Sequence, residues 1–411
     1  MNAPMVPAAA SRWTIVISGG VLMGLSLGIR HTQGLFMQPV TSGHGWPLET
    51  FGLALALQNL VWGLAQPATG LVADRYGSGR VLCLGVLAYG LGLYLMAHAQ
   101  GPAGFTAGSG VLIGIALSGT AFGTVYGALS RIFEPPWRSW ALAVSGAIGG
   151  LGQFCLVPFV QRLLAGVGWQ TTAIVLGLLM LASLPLAVPL RARPRGKRVE
   201  GADRPVGASV RDAWRHRGFW LLNLGFFACG FQLAFIATHL PAYLLGHGLS
   251  LEQAGTALAL IALANIFGTY ACSRSAGIWR IKHLLAGLYA VRVAAMLLFL
   301  AVPVTAASAY AFALVMGFLW LGTAPMTNEL VLRMFGLRYI ATLFGIVFLG
   351  HQVGGFFGVW LGAWVYDHTH SYEWLWIGSV AIGCVAALAH WLIDDTPLAV
   401  SEGSTLRMAR P

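Results

Sequence analysis

The chain reads as a succession of apolar runs, each about 20 residues long and each closed by a short polar stretch. A helix rising 1.5 Å per residue needs about 20 residues to cross the roughly 30 Å hydrocarbon core of a bilayer. Runs of that kind lie at 13–38, 48–72, 81–99, 105–130, 139–163, 170–190, 219–245, 252–273, 283–302, 308–330, 340–365 and 374–393. They divide as six and six about a polar stretch at 191–218. The expectation is an all-α membrane protein with 12 transmembrane helices in two pseudo-symmetric six-helix bundles. Residues 1–190 would form the first bundle, 191–218 a linker, 219–394 the second bundle and 395–411 a tail.

The two halves carry an internal repeat. Gly43-His44-Gly45-Trp46-Pro47-Leu48-Glu49-Thr50-Phe51-Gly52 aligns with Gly246-His247-Gly248-Leu249-Ser250-Leu251-Glu252-Gln253-Ala254-Gly255. Each copy joins the first run of its half to the second. Paired six-span halves are the signature of a transporter whose site lies between them at mid-depth. Glu49 and Glu252 fall in the first turn of a helix, where the positive end of the dipole favours a carboxylate. Glycines at Gly146, Gly149, Gly150 and Gly152, and again at Gly350, Gly354, Gly355, Gly358 and Gly362, make small faces suited to close helix packing.

The polar positions then sort inside from outside. Of the 24 Lys and Arg residues, all but three (Arg30, Arg162 and Arg292) fall on the side of the termini and the linker. The opposite loops, near 39–47, 100–104, 246–251, 303–307 and 366–373, contain no Lys or Arg. Cytoplasmic loops carry the basic excess, so both termini are expected in the cytoplasm of a multi-pass protein of the cell inner (plasma) membrane. A composition 57% hydrophobic and 9% charged excludes a soluble domain and makes lipid the principal surroundings. The net charge of +11 arises from residues at run ends and in the linker, so nucleic acid is not an expected partner. The five Cys all fall in apolar runs without CxxC or Cys/His spacing, which indicates neither a disulfide frame nor a metal site. The first apolar run is too long for a secretory signal. No cofactor is called for, the linker is too short for an enzymatic domain, and a monomer is expected.

After the second run the sequence reads Gly70-Leu71-Val72-Ala73-Asp74-Arg75-Tyr76-Gly77-Ser78-Gly79-Arg80. This resembles the G-x-x-x-D-R-x-G-x-(x)-R/K signature of the major facilitator superfamily, in its expected place between spans two and three. The resemblance covers nearly the whole chain. It implies a conformational lock at Gly70, Asp74, Arg75, Gly77 and Arg80, holding the outward-open state. In the second half, Cys272-Ser273-Arg274-Ser275-Ala276-Gly277 lacks the Asp. Tyr126 through Phe133, Arg138 and the run Ala141 to Gly150 are similar to the span 4–5 junction of the monocarboxylate porter and oxalate/formate exchanger branch. In span one, Gly24-Leu25-Ser26 followed by Arg30-His31-Thr32 resembles the segment where many members carry a Lys, here His31. The branch's Asp/Arg pair in span eight is absent; the matching stretch reads Asn265-Ile266-Phe267-Gly268-Thr269.

All 13 acidic residues fall near run ends or in loops, whereas Arg30 and Arg292 lie inside runs. A buried guanidinium without a carboxylate needs an anion, backbone carbonyls or water. Arg binds a carboxylate bidentately, so a small organic anion is the natural substrate. Span one lines the cavity in this superfamily, which makes Arg30 a candidate ligand. Arg292, in a peripheral span, reads as a structural residue, and Arg162 as one snorkelling to the interface. With no mid-membrane acid, proton coupling falls to His31 and His351, since His titrates near neutral pH. The expected substrate-binding residues are Arg30, His31, Tyr126, Asn265, His351 and Gln352. The reading is a secondary active transporter that moves a small organic anion, a monocarboxylate, by alternating access, coupled to protons or a counter-anion. Its rivals are an exporter of a neutral or amphipathic molecule and a transport-like sensor without flux.

Overall fold

A computed structural model of the chain describes residues 11–191, 206–276, 278–335 and 340–396. Among these, 11 helical stretches are long and apolar enough to cross a bilayer. One of them runs through Pro135–Ala182, 48 residues, more than twice what a crossing requires. It is broken at Gly168, whose φ of 77° and ψ of 172° suit glycine and no helix. That stretch therefore supplies two spans, and the expected twelve are present. We label them α1 (Arg12–His44), α2 (Leu48–Tyr76), α3 (Ser78–His98), α4 (Pro102–Ile132), α5 (135–167) and α6 (169–187) in the first half. The second half holds α7 (Arg217–Gly246), α8 (Leu251–Ser275), α9 (Ile281–Ala301), α10 (Ala306–Phe335), α11 (Ile340–Thr369) and α12 (Glu373–Trp391).

The linker is not wholly irregular. Val206–Arg215 is a short helix that packs against α7, with the Trp220 indole donating to the Trp214 carbonyl at 2.7 Å. Several expected basic positions (Arg193, Arg195, Lys197, Arg198, Arg204, Arg338, Arg407 and Arg410) lie outside the described residues, as does Gly277.

Within the halves, glycine lets backbones touch. A Cβ on Gly152 of α5 would stand 2.9 Å from the Gly24 Cα of α1. Between the halves, α1 meets α7, α2 meets α11, and α5 meets α8. These contacts are not uniform along the helices. At the face of loops 45–47 and 370–372, here called distal, α1 and α7 approach so closely that a Gly34 Cβ would lie 2.5 Å from the Ala237 carbonyl oxygen. There too the Gln161 amide donates to the Leu251 carbonyl at 2.7 Å, tying α5 to α8. Towards the face that bears the termini the contacts run out. On the α11-facing side of α2, Gly63 still packs on Gln352, but Gly70, two turns on, has no neighbour within 4 Å. On α8, Ile266 still touches Gly150, and Tyr270 one turn later is 73% exposed. Among the described residues, the halves are closed at the distal face and open at the terminal face.

Candidate functional site

α1 is α-helical to Thr32, tightens into a 3₁₀ turn over Gln33–Phe36 and resumes as α-helix over Met37–His44. Arg30 sits in the α-turn just before the 3₁₀ segment, aimed across the interior at α2. Its Nη2 donates to the Oδ1 of Asn59, and its guanidinium lies 5.4 Å from the centroid of the Trp62 ring, within cation–π range. Its Nε is buried with no hydrogen-bond partner, and no carboxylate among the described residues pairs with it. The cation is thus held by a neutral amide and an aromatic face.

Asn59 carries the contact into the other half. Its side-chain nitrogen donates back to the Leu55 carbonyl at 3.0 Å, which fixes the amide, and its own backbone carbonyl accepts from the Gln352 side chain at 3.3 Å. The Gln352 Oε1 lies 3.0 Å from His351 Nδ1. Arg30, Asn59, Gln352 and His351 therefore form one polar chain from α1 through α2 to α11. Beside it runs a strip of rings. Trp62 meets Phe122 at 6.1 Å and Phe348 at 5.5 Å, Phe122 continues to Tyr126, and His351 stacks parallel to Phe348 and tilts on Phe226 at 4.7 Å. Tyr126 is half-buried, its hydroxyl set against Gly146 of α5.

The other nominated residues go elsewhere. His31 points to α8, where its Nε2 lies 2.9 Å from the Leu258 carbonyl, so it bridges the halves. Asn265 is committed within the second half: its Oδ1 accepts from the Leu321 amide at 3.0 Å and from the Thr269 hydroxyl at 3.1 Å. Those bonds serve a break in α10 between Phe318 and Thr323, and Arg292 serves the same break. Its guanidinium, wholly buried, donates to the Leu319 carbonyl at 2.5 Å and the Trp320 carbonyl at 2.7 Å, and to the Cys229 sulfur at 3.4 Å. Non-helical backbone is tolerated at membrane depth only where its polar groups find partners, and Arg292 and Asn265 are those partners. α4 breaks likewise at Ala121, where the Ser118 carbonyl accepts from Thr124 and Gln66. Arg162 is exposed.

Around the α2–α3 turn, Gly77 has φ 92°, a glycine conformation, and Arg75 and Arg80 are exposed. The side chain of Asp74 lies outside the described residues. A cavity of about 490 Å³ opens at the distal end of the second half, lined in part by Tyr243, Tyr366, Tyr372, Glu373 and Trp376. It holds none of the nominated residues, and no group of three or more metal-ligating side chains occurs among the described residues. Sequence reading passed over Trp62 and Gln66 as site residues. Their spacing from Asn59, three and seven residues on one face of α2, was the signal that could have found them.

The family model of the Major Facilitator Superfamily matches residues 16–359. The chain belongs to the major facilitator superfamily. Within it, human monocarboxylate transporter 11 is 25% identical over 383 residues, covering 88% of this chain and 78% of the relative. The oxalate:formate antiporter of Oxalobacter formigenes is 24% identical over 380 residues, covering 86% and 84%. Among solved structures, a bacterial homologue of the human lysosomal transporter Spinster, in an inward-facing and occupied conformation, superposes with a TM-score of 0.72 at 14% identity over 93% of this chain and 96% of that one. The expected resemblance to the monocarboxylate and oxalate/formate branch is thus met by relatives of that branch. The chain is a transporter of a small molecule, and not an enzyme.

Proposed function

We propose that this major facilitator protein moves a small organic anion, a monocarboxylate, with Arg30 receiving the carboxylate. The observation that carries the reading is the state of the Arg30 guanidinium: half-buried, unopposed by any acid of the described residues, with its Nε buried and without a partner. An isolated cation at this depth is costly, and a bidentate anion offsets that cost. His351 and Gln352 face it from the second half, with Tyr126 on the same ring strip. His351 is the candidate proton carrier, and exchange against a counter-anion is the other form of coupling the site would support. The names of the branch relatives, a monocarboxylate transporter and an oxalate:formate antiporter, point to the same substrate class. His31, tied to α8, acts in this scheme at the closing of the halves rather than on the substrate. We place the protein in the inner membrane with both termini cytoplasmic, which makes the present conformation inward-facing.

A second reading draws on the ring strip from Tyr126 to Phe226, which would suit a neutral aromatic compound. Proteoliposomes separate the two. Uptake of labelled lactate, pyruvate, oxalate and formate is measured with and without a pH gradient. Saturable uptake of one of these anions is expected, and its loss in Arg30→Gln. Absence of saturable flux for every organic anion, with flux of a neutral aromatic, would overturn the main reading.

A further inference from the structure

The two copies of the internal repeat begin their helices differently. α8 caps itself: the Ser250 hydroxyl accepts from the Gln253 amide at 3.2 Å, and the Gln253 side chain accepts from the Ser250 amide at 2.8 Å. At the equivalent positions α2 has Pro47 and Thr50, and its N-cap residue, Pro47, supplies no side-chain cap. The first amides of a helix have no intrahelical acceptor and need one. For α2 they find it across the molecule. Asp367, near the end of α11, accepts from the Leu48 amide at 3.1 Å through one oxygen and from the Glu49 amide at 2.6 Å through the other. Two helical turns back from Asp367, the Trp360 indole of α11 donates to the Glu49 carboxylate at 3.1 Å. These bonds lie at the distal face, where the halves are closed.

We infer that α2 has its N-cap supplied by the opposite half, so that Asp367 latches the distal gate shut. Closing the gate caps the helix; opening it strips the cap. The repeat shows that the arrangement is particular to α2, because the sister helix α8 keeps its cap whichever way the halves rock. A carboxylate suits the task twice over, as a two-oxygen acceptor and as an anion at the positive end of the helix dipole. The inference requires no assignment of the substrate.

The test reads gate opening directly. Ala363 of α11 is fully buried against Gly52 of α2 at the distal contact. In a protein freed of its five native cysteines, Ala363→Cys reports opening by its rate of reaction with a water-soluble maleimide. Asp367→Ala should speed that reaction roughly tenfold, the equilibrium effect of losing an N-cap. The paired change Pro47→Ser with Thr50→Gln, which writes the α8 box into α2, should speed it as well, because the open state then keeps a cap. This second variant adds a stabilising motif, so it stays decisive even if Asp367→Ala fails to fold. An unchanged labelling rate in folded Pro47→Ser/Thr50→Gln protein overturns the inference.

Discussion

Arg30 and Arg292 are alike in chemistry, and differ in burial and in what meets them. Arg292 has two backbone carbonyls at 2.5 and 2.7 Å. They come from the end of a helical segment, where the dipole is negative and a cation is favoured. Arg30 has one side-chain amide oxygen and no backbone carbonyl; each guanidinium lies over an aromatic ring, and each Nε is without a partner. The same substitution should therefore move different observables. Arg30→Gln is expected to lower kcat/KM for the transported anion about ten- to a hundredfold, the range of a charge-assisted hydrogen bond. It should leave the melting temperature unchanged or raised, since a partly buried charge without a carboxylate partner is removed. Arg292→Met leaves the Leu319 and Trp320 carbonyls without donors, at about 1–3 kcal/mol each, and should lower the melting temperature while KM of the folded fraction holds. Detergent-solubilised melting curves beside proteoliposome uptake separate the two. Equal losses of stability in both variants would contradict the assignment. His351→Gln keeps a hydrogen-bonding side chain at the Gln352 contact and removes the titratable ring. It should abolish the response of uptake to a pH gradient while substrate exchange continues; a full response to the gradient would remove His351 as the proton carrier.

Helices were legible where packing follows composition and hidden where it follows a partner. Apolar runs of about 20 residues announce spans, and the structure has them. The break in α4 was not legible, since nothing in its local sequence obliges one; that in α10 had a sign in Pro325, which has no amide hydrogen for the Leu321 carbonyl. What the local sequence hides is the donors from other helices that allow both, Gln66 in the first half and Arg292 in the second. The backbone role of Asn265 was hidden for the same reason: a polar residue in a cavity-lining helix can serve a ligand or a neighbouring backbone, and the Leu321 amide at 3.0 Å shows its Oδ1 serving the backbone. Arg30 stands out as a candidate from the sequence alone, because a cation inside an apolar run is anomalous without any knowledge of neighbours. The glycine faces were visible, and their partners were not. At Gly34 the partner sets a limit: an added Cβ would meet the Ala237 oxygen at 2.5 Å and the Thr238 oxygen at 2.7 Å, backbone atoms that cannot swing aside. Gly34→Val should hold α1 and α7 apart and hinder distal closure. Substrate exchange is then expected to slow several-fold in protein that remains monodisperse and folded. Exchange at the wild-type rate would show that this contact is not part of the cycle.

At the scale of the molecule, closure and charge are polarised along the same axis. The terminal face carries the basic residues Arg75, Arg80, Arg131, Arg138, Arg274 and Arg280, and it is the open face. The distal face carries no Lys or Arg in its loops and is bridged by His31, Gln161 and Asp367. In the proposed orientation the first of these faces the cytoplasm, as the positive-inside tendency favours independently of any resemblance to other transporters. Orientation and conformation then make a joint prediction that neither makes alone. In a background without native cysteines, a cysteine at Gly101, in the distal α3–α4 loop, should react with an impermeant maleimide added to intact cells. A cysteine at Ile278, in the terminal α8–α9 turn and 73% exposed, should react only after the membrane is breached. A third at Gly70, where nothing stands within 4 Å, should also react from the cytoplasmic side. Its reaction should slow when saturating substrate is supplied outside, because return to the distal-open state closes the terminal face. Labelling of Ile278→Cys in intact cells would reverse the orientation. Labelling of Gly70→Cys at an unchanging rate, under conditions where flux is measured, would mean that the terminal opening is not a stage of the transport cycle.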